Sequence, residues 1–106
     1  MYATKLTASG FDVEVSFDGQ DALTKIKEKK PDLILLDIVL PKMDGFELLQ
    51  LLRKDDSTKE ISVIILTNLG QKEEVEKGLK LGANDYIIKA HFTPTEVVAK
   101  ARKLLQ

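Results

Sequence analysis

Three polar side chains of different chemistry each follow a short apolar run. Asp37 comes after Leu33–Leu36, Thr67 after Ile61–Leu66, and Lys89 after Tyr86–Ile88. An unbroken apolar run of this length fits a strand covered on both faces, as in a parallel sheet flanked by helices. In such sheets all the carboxyl ends lie on one edge, and reacting groups gather in the crevice beyond it. A carboxylate, a hydroxyl and an ammonium group converging there are suited to phosphoryl transfer. The carboxylate is the nucleophile and becomes an acyl phosphate, while the hydroxyl and the ammonium hold the charge on the equatorial oxygens. Taken singly, each residue has a plainer account: a cap or turn carboxylate, a turn hydroxyl, a surface charge. Their placement on one edge reverses that preference. No Walker-type glycine loop is present, so the phosphoryl donor is expected to be another phosphoprotein or a small phospho-compound rather than ATP bound by this chain.

The elements that must position these residues can be followed along the chain. Met1–Ser9 reads as the last turns of a helix, with Gly10 as a left-handed stop. Phe11–Phe17 alternates Phe, Val, Val, Phe with Asp, Glu, Ser, the two-residue period of a strand with one wetter face. Asp18-Gly19 turns the chain into a helix carrying Ala22, Leu23 and Ile26, which Pro31 stops. Its terminal Lys27–Lys30 cluster suits the helix carboxyl end and is given no binding role. After the Asp37 strand, Pro41 and Asp44-Gly45 make a turn into a helix marked by Phe46, Leu48, Leu49, Leu51 and Leu52. A polar loop over Asp55–Lys59 precedes the Ile61–Leu66 strand, and a helix with Val75 and Leu79 closes near Gly82. Thr93-Pro94-Thr95-Glu96 is a capping box with proline at the first helical position, opening a final helix with Val97, Val98, Ala101, Leu104 and Leu105 inward. A helix stub followed by strand and helix four times over predicts an α/β fold, with a parallel sheet and helices on both sides.

Composition bounds the rest. The 106 residues allow one domain. With 16 basic and 17 acidic residues the net charge is −1, which argues against nucleic acid as a direct partner. There is no cysteine, hence no disulfide framework or thiolate chemistry. The apolar runs fall short of the roughly 20 residues of a membrane span, and the cytoplasm is the expected compartment. His91, the single histidine, reads as a loop residue, Asp44 and Asp85 as turn carboxylates, and Met43 as packing or loop surface.

Leu-Leu-Asp-Ile-Val-Leu-Pro-Lys-Met-Asp-Gly, with Asp37, Pro41 and Gly45 in place, resembles the receiver domain of bacterial response regulators, a CheY-like, flavodoxin-like fold. Ile-Ile-Leu-Thr, Gly-Ala-Asn-Asp-Tyr-Ile-Ile-Lys and the final helix match as well, so the resemblance covers the whole chain. It implies that Asp37 is the phosphoacceptor for a histidine kinase or phosphotransfer protein, and that the chain is not itself an enzyme. It further implies that Thr67 is the hydroxyl that shifts toward the phosphoryl group, that Lys89 is its cationic partner, and that Tyr86 is the switch aromatic. Asp37 and the backbone carbonyl of Val39 would be Mg²⁺ ligands.

Two departures from the family pattern stand out. Ala90 follows Lys89 where the family usually has proline. The chain also begins inside the first helix, so the first strand and its acidic pair are expected to be missing from a receiver truncated at its amino terminus. That strand is central in the family's order 2-1-3-4-5, and its loss calls for compensation, since unpaired buried backbone groups cost on the order of 1–3 kcal/mol each. Either Phe11–Phe17 moves inward, or two chains pair their edges by strand addition or segment exchange; the second, a homodimer, is the favoured expectation. Without the acidic pair, Mg²⁺ binding is expected to be weak and phosphorylation impaired. Asp18 is a substitute metal ligand if its strand moves inward, although an Asp-Gly turn is the simpler account. The alternative to a working phosphoacceptor is a phosphorylation-incompetent receiver fold serving as an interaction or assembly module, or an engineered fragment. A metal-dependent hydrolase is disfavoured, because no second acidic cluster accompanies Asp37.

Overall fold

A computed structural model describes residues 2–38, 43–67 and 72–105. Its helices are α1 (Tyr2–Ala8), α2 (Gly19–Lys29), α3 (Gly45–Lys54), α4 (Lys72–Lys80) and α5 (Pro94–Leu105). The strands are β1 (Leu33–Asp37), β2 (Ser62–Thr67) and β3 (Asp85–Ile88), with a 3₁₀ turn over Lys89–His91 directly after β3. The three strands form one parallel sheet in the order β1-β2-β3. Each crossover carries a helix, as parallel pairing requires.

Both faces of the sheet are covered, which is why its strands are continuously apolar. In β2, Val63 and Ile65 point to one side and pack with Ile26 of α2 and Leu48, Leu49 and Leu52 of α3. Ile64 and Leu66 point to the other, toward Ile87 and Val97. Leu6 of α1 extends that second layer by packing on Val98 and Ala101 of α5.

Local chemistry sets the element ends. Asp18 caps α2 by accepting from the Asp21 amide at 2.8 Å, and Asp44 caps α3 by accepting from the Glu47 amide at 2.9 Å. The expected capping box forms at α5: the Glu96 amide donates to Thr93 Oγ1 at 3.3 Å, and the Thr93 amide to Glu96 Oε1 at 3.1 Å. Beyond α3, the Ser57 amide donates to Asp55 and holds its carboxyl below the usual carboxylate range. Gly10, at φ +98°, takes the left-handed turn after α1.

The same conformation falls on a non-glycine at the end of α2, where Lys30 sits at φ 46°, ψ 72° with its amide on the Ile26 carbonyl at 2.7 Å. For an L side chain this conformation costs about 1–2 kcal/mol. Lys30→Gly is therefore expected to stabilise the fold by roughly 1 kcal/mol in urea denaturation, in keeping with the preference for glycine just past a helix.

The structure corrects the sequence reading at Phe11–Phe17. This segment is not a strand, and no backbone hydrogen bond joins it to β1 among the described residues. Alternation alone makes no ladder; a strand also needs a neighbour at hydrogen-bonding distance. Nor has the segment moved inward to supply a fourth strand. Side chains hold it where it is. Phe11 and Val13 pack on the Leu6, Val98 and Ala101 cluster, and the Arg102 guanidinium lies 5.6 Å from the Phe11 ring centre. Lys25 Nζ donates to the Val15 carbonyl at 2.9 Å. Lys29 Nζ meets Glu14 at 2.9 Å, and this hydrogen bond raises the lysine's pKa. Phe17 is left 82% exposed, so the apolar half of its alternating pattern does not mark a buried face there.

Candidate functional site

The site is fixed by the register of the two ladders. Asp37 stands opposite Leu66, one residue before Thr67, and Thr67 stands opposite Ile88, one residue before Lys89. All three residues therefore lie along the carboxyl edge of the sheet. Lys89 Nζ donates to Asp37 Oδ2 at 2.6 Å, a charge-assisted contact between side chains 27% and 34% exposed. Such partial exposure leaves the pair within reach of a reagent from solvent. Thr67 is 6% exposed, with its backbone in the last position of β2.

The β1–α3 connection closes tightly behind the carboxylate. The Gly45 amide donates to the Ile38 carbonyl at 2.8 Å. A Cβ built on Gly45 would stand 2.6 Å from the Asp37 carbonyl oxygen and 2.8 Å from Ile38 Cα, both backbone atoms that cannot rotate away. Gly45→Ala is thus expected to push the backbone that carries Asp37. The predicted result is a loss of about 1–2 kcal/mol in thermal unfolding, together with slower modification of Asp37 by a small phosphodonor, read by mass.

Other residues singled out from sequence have assigned places. Tyr86 pairs with Ile65 in the ladder, is partly buried against the α3-side core, and has the Lys100 ammonium 5.7 Å from its ring centre. Asp85 is more than a turn carboxylate: it opens β3 and takes a 2.7 Å salt bridge from Lys100 of α5. Met43 is packing, since its Cβ and carbonyl stand where a side chain on Gly19 would be. His91 is exposed in the 3₁₀ turn, as is Ala90. Val39, whose carbonyl is an expected metal ligand, and Pro41 lie outside the described residues.

The described donor set fits a divalent cation poorly. No group of three acidic or imidazole side chains comes together among the described residues. Asp37 Oδ2 is engaged by Lys89, and Asp18 Oδ1 caps α2. A Mg²⁺ ion asks for near-octahedral oxygen ligation, met by one or two carboxylates with waters and phosphate.

Sequence reasoning missed Arg53. Its guanidinium donates to the carbonyls of Gly82 (3.0 Å), Lys59 (3.0 Å) and Ile61 (2.8 Å) and to Asn84 Oδ1 (3.1 Å). Asn84 Oδ1 in turn accepts from the Val63 amide at 2.8 Å, so the network ties the end of α3 to the start of β2 and β3. Burial pulls the Arg53 pKa below its ordinary value without removing its charge. A basic residue in the last turn of a helix looks like an ordinary complement to the helix dipole, and no local pattern distinguishes this one.

Comparison with known proteins gives one consistent picture. The family model described as response regulator receiver domain matches residues 1–102. The DNA-binding dual master transcriptional regulator RpaA of Synechocystis is 40% identical over 106 residues, covering 100% of this chain and 44% of its own length. The phosphate regulon transcriptional regulatory protein PhoB of Rhizobium meliloti is 38% identical over 101 residues, covering 95% of this chain and 44% of its own. The chain therefore spans less than half the length of these curated relatives. Among solved structures, the receiver domain of Francisella response regulator 1452 superposes with a TM-score of 0.88 at 36% identity, over 98% of this chain and 84% of that one. The chemotaxis response regulator CheY4 of Vibrio cholerae gives 0.90 at 28% identity, over 99% and 87%.

Proposed function

Because this chain belongs to the response regulator receiver domain family, we propose that Asp37 accepts a phosphoryl group from a histidine kinase or a phosphotransfer protein. A carboxylate oxygen of Asp37 attacks phosphorus, the bond to the donor's nitrogen or oxygen breaks, and an aspartyl phosphate forms. The Lys89 ammonium then pairs with a phosphoryl oxygen in place of the carboxylate it holds at rest, and the Thr67 hydroxyl takes another. In this reading the chain is the recipient of the transfer and not an enzyme. The observation that carries it is the 2.6 Å contact between Lys89 and Asp37, at an edge that the register shares with Thr67.

Receiver domains bind Mg²⁺ for phosphorylation, and the cation would neutralise the incoming oxygens. Among the described residues no group of three acidic or imidazole side chains gathers to hold it, and Asp37 already carries a cation, so the transfer is proposed to be slow and no step is routed through the metal. RpaA is named as a DNA-binding regulator. With a net charge of −1, this chain is proposed to act through protein contacts and to leave any nucleic acid contact to other parts of such a protein.

Incubation with a small acyl phosphate and Mg²⁺, followed by intact mass, tests the reading. A slowly formed single phosphoryl adduct is expected, together with weak Mg²⁺ binding in a direct titration. Rapid labelling and ordinary receiver-like Mg²⁺ affinity would contradict the impairment. Absence of any adduct would favour the second reading, a receiver fold used only as an interaction module, which the poor cation site already favours in part.

A further inference from the structure

Gly19 opens α2 and is buried, yet neither its backbone nor its helix calls for glycine. Its φ lies outside the left-handed region, which among the described glycines is taken only by Gly10 and Gly82. Alanine is the better helix former at such a position. What glycine supplies here is space. A Cβ built on Gly19 would stand 2.6 Å from Met43 Cβ, 2.6 Å from the Met43 carbonyl oxygen and 3.2 Å from Met43 Cγ. The first two of those atoms move only with the main chain, so no side-chain rotation relieves the approach. The first residue of α2 therefore abuts the backbone of the connection between β1 and α3.

The other side of that connection has no slack either. Asp44 is held as the cap of α3 by the Glu47 amide, and the Gly45 amide donates to the Ile38 carbonyl at 2.8 Å. Gly45 in turn lies so close to Asp37 that its own Cβ would meet the Asp37 carbonyl oxygen at 2.6 Å. Residues 43–45 are thus wedged between the start of α2 and the backbone of Asp37 and Ile38. We propose that Gly19 is a positioning residue for phosphoryl transfer to Asp37: the bare helix end seats Met43, and through Gly45 it sets the backbone that carries the reacting carboxylate. This rests on the reading of Asp37 as the phosphoacceptor. A side chain at residue 19 can enter only by displacing Met43, and the displacement passes along the wedge to Asp37. A shift of about 1 Å in a reacting group can slow a reaction by about 10²-fold. The role is hidden in the sequence, where Asp18-Gly19 reads as an ordinary turn; in the structure Asp18 caps the helix and Gly19 makes the contact.

Gly19→Ala, Thr24→Gly and the double variant Gly19→Ala with Met43→Gly, each in the full chain, test the proposal. Labelling by a small acyl phosphate with Mg²⁺ is followed by intact mass, and exchange of the Gly45 amide by NMR. Gly19→Ala should be labelled about tenfold more slowly than the parent. Its Gly45 amide should exchange about tenfold faster while the amides of β2 keep their protection. Thr24 is exposed in α2, so Thr24→Gly weakens the helix without crowding Met43. It should lower the unfolding midpoint and leave labelling unchanged. The double variant, which removes the opposing Cβ, should be labelled about threefold faster than Gly19→Ala alone. Labelling of Gly19→Ala at the parent rate overturns the proposal, as does a double variant no faster than the single one. Equal slowing by Thr24→Gly also overturns it, since helix stability alone would then account for the effect. If the parent takes no label, the reading of Asp37 fails separately, and the exchange arm still decides: an unchanged Gly45 rate in Gly19→Ala refutes the wedge. If Gly19→Ala does not fold, recovery of the fold on adding Met43→Gly supports the contact, and a double variant that is no better refutes it.

Discussion

Asp37→Asn is expected to eliminate the phosphoryl adduct while leaving the fold almost unchanged. The amide has no anionic oxygen with which to attack phosphorus, so labelling by a small acyl phosphate should fall to background in intact mass. The structural cost is small for a definite reason. An asparagine oxygen still accepts a hydrogen bond from Lys89, and the pair it replaces is about a third exposed, where an ion pair contributes roughly 0–1 kcal/mol. Lys89→Met should give a different signature. The nucleophile survives, but the cation that would meet the transferred oxygens is gone, and removal of one such electrostatic donor typically slows chemistry by about 10²–10³-fold. A variant that labels slowly and one that does not label at all separate the charge role from the nucleophile role. Equal labelling of Asp37→Asn and the parent chain would refute the assignment of Asp37.

Arg53→Ala is expected to be the most destabilising of the substitutions considered, by about 2–4 kcal/mol in chemical denaturation. The guanidinium reaches four acceptors, and hydrogen bonds to a charged group contribute about 1.5–3 kcal/mol each. The contacts with Lys59 and Asn84 are exposed, and water can replace them. Those with Gly82 and Ile61 are part-buried, and water replaces them poorly. Arg53→Lys should recover less than half of the loss, because a single ammonium cannot span acceptors that a planar fork reaches from two sides. If Arg53→Ala unfolds at the same denaturant concentration as the parent, the network is decoration on a junction held by packing alone.

Most of the fold was legible in the apolar runs. Leu33–Leu36, Ile61–Leu66 and Tyr86–Ile88 are continuous because both sheet faces are covered, and the three strands stand within a residue of those bounds. The edge residues were legible for the same reason: once the strands are parallel, their carboxyl ends must coincide. Phe11–Phe17 misled because a two-residue period reports a surface with a wet and a dry side, and packing on Leu6 and Ala101 supplies that without a ladder. Thr58 shows the converse. It sits in a segment that looked uniformly polar, yet it is 1% exposed and its hydroxyl donates to the Leu52 carbonyl at 2.8 Å. Arg53 was illegible because its partners at Ile61, Gly82 and Asn84 are brought to it only by the completed sheet.

The sharing of β2 by both ladders carries a kinetic consequence. Neither pairing can close before residues 62–67 are in place, so assembly has one obligatory meeting point. Lesions in that hexapeptide should retard refolding, whereas lesions in the outer strands mainly hasten unfolding.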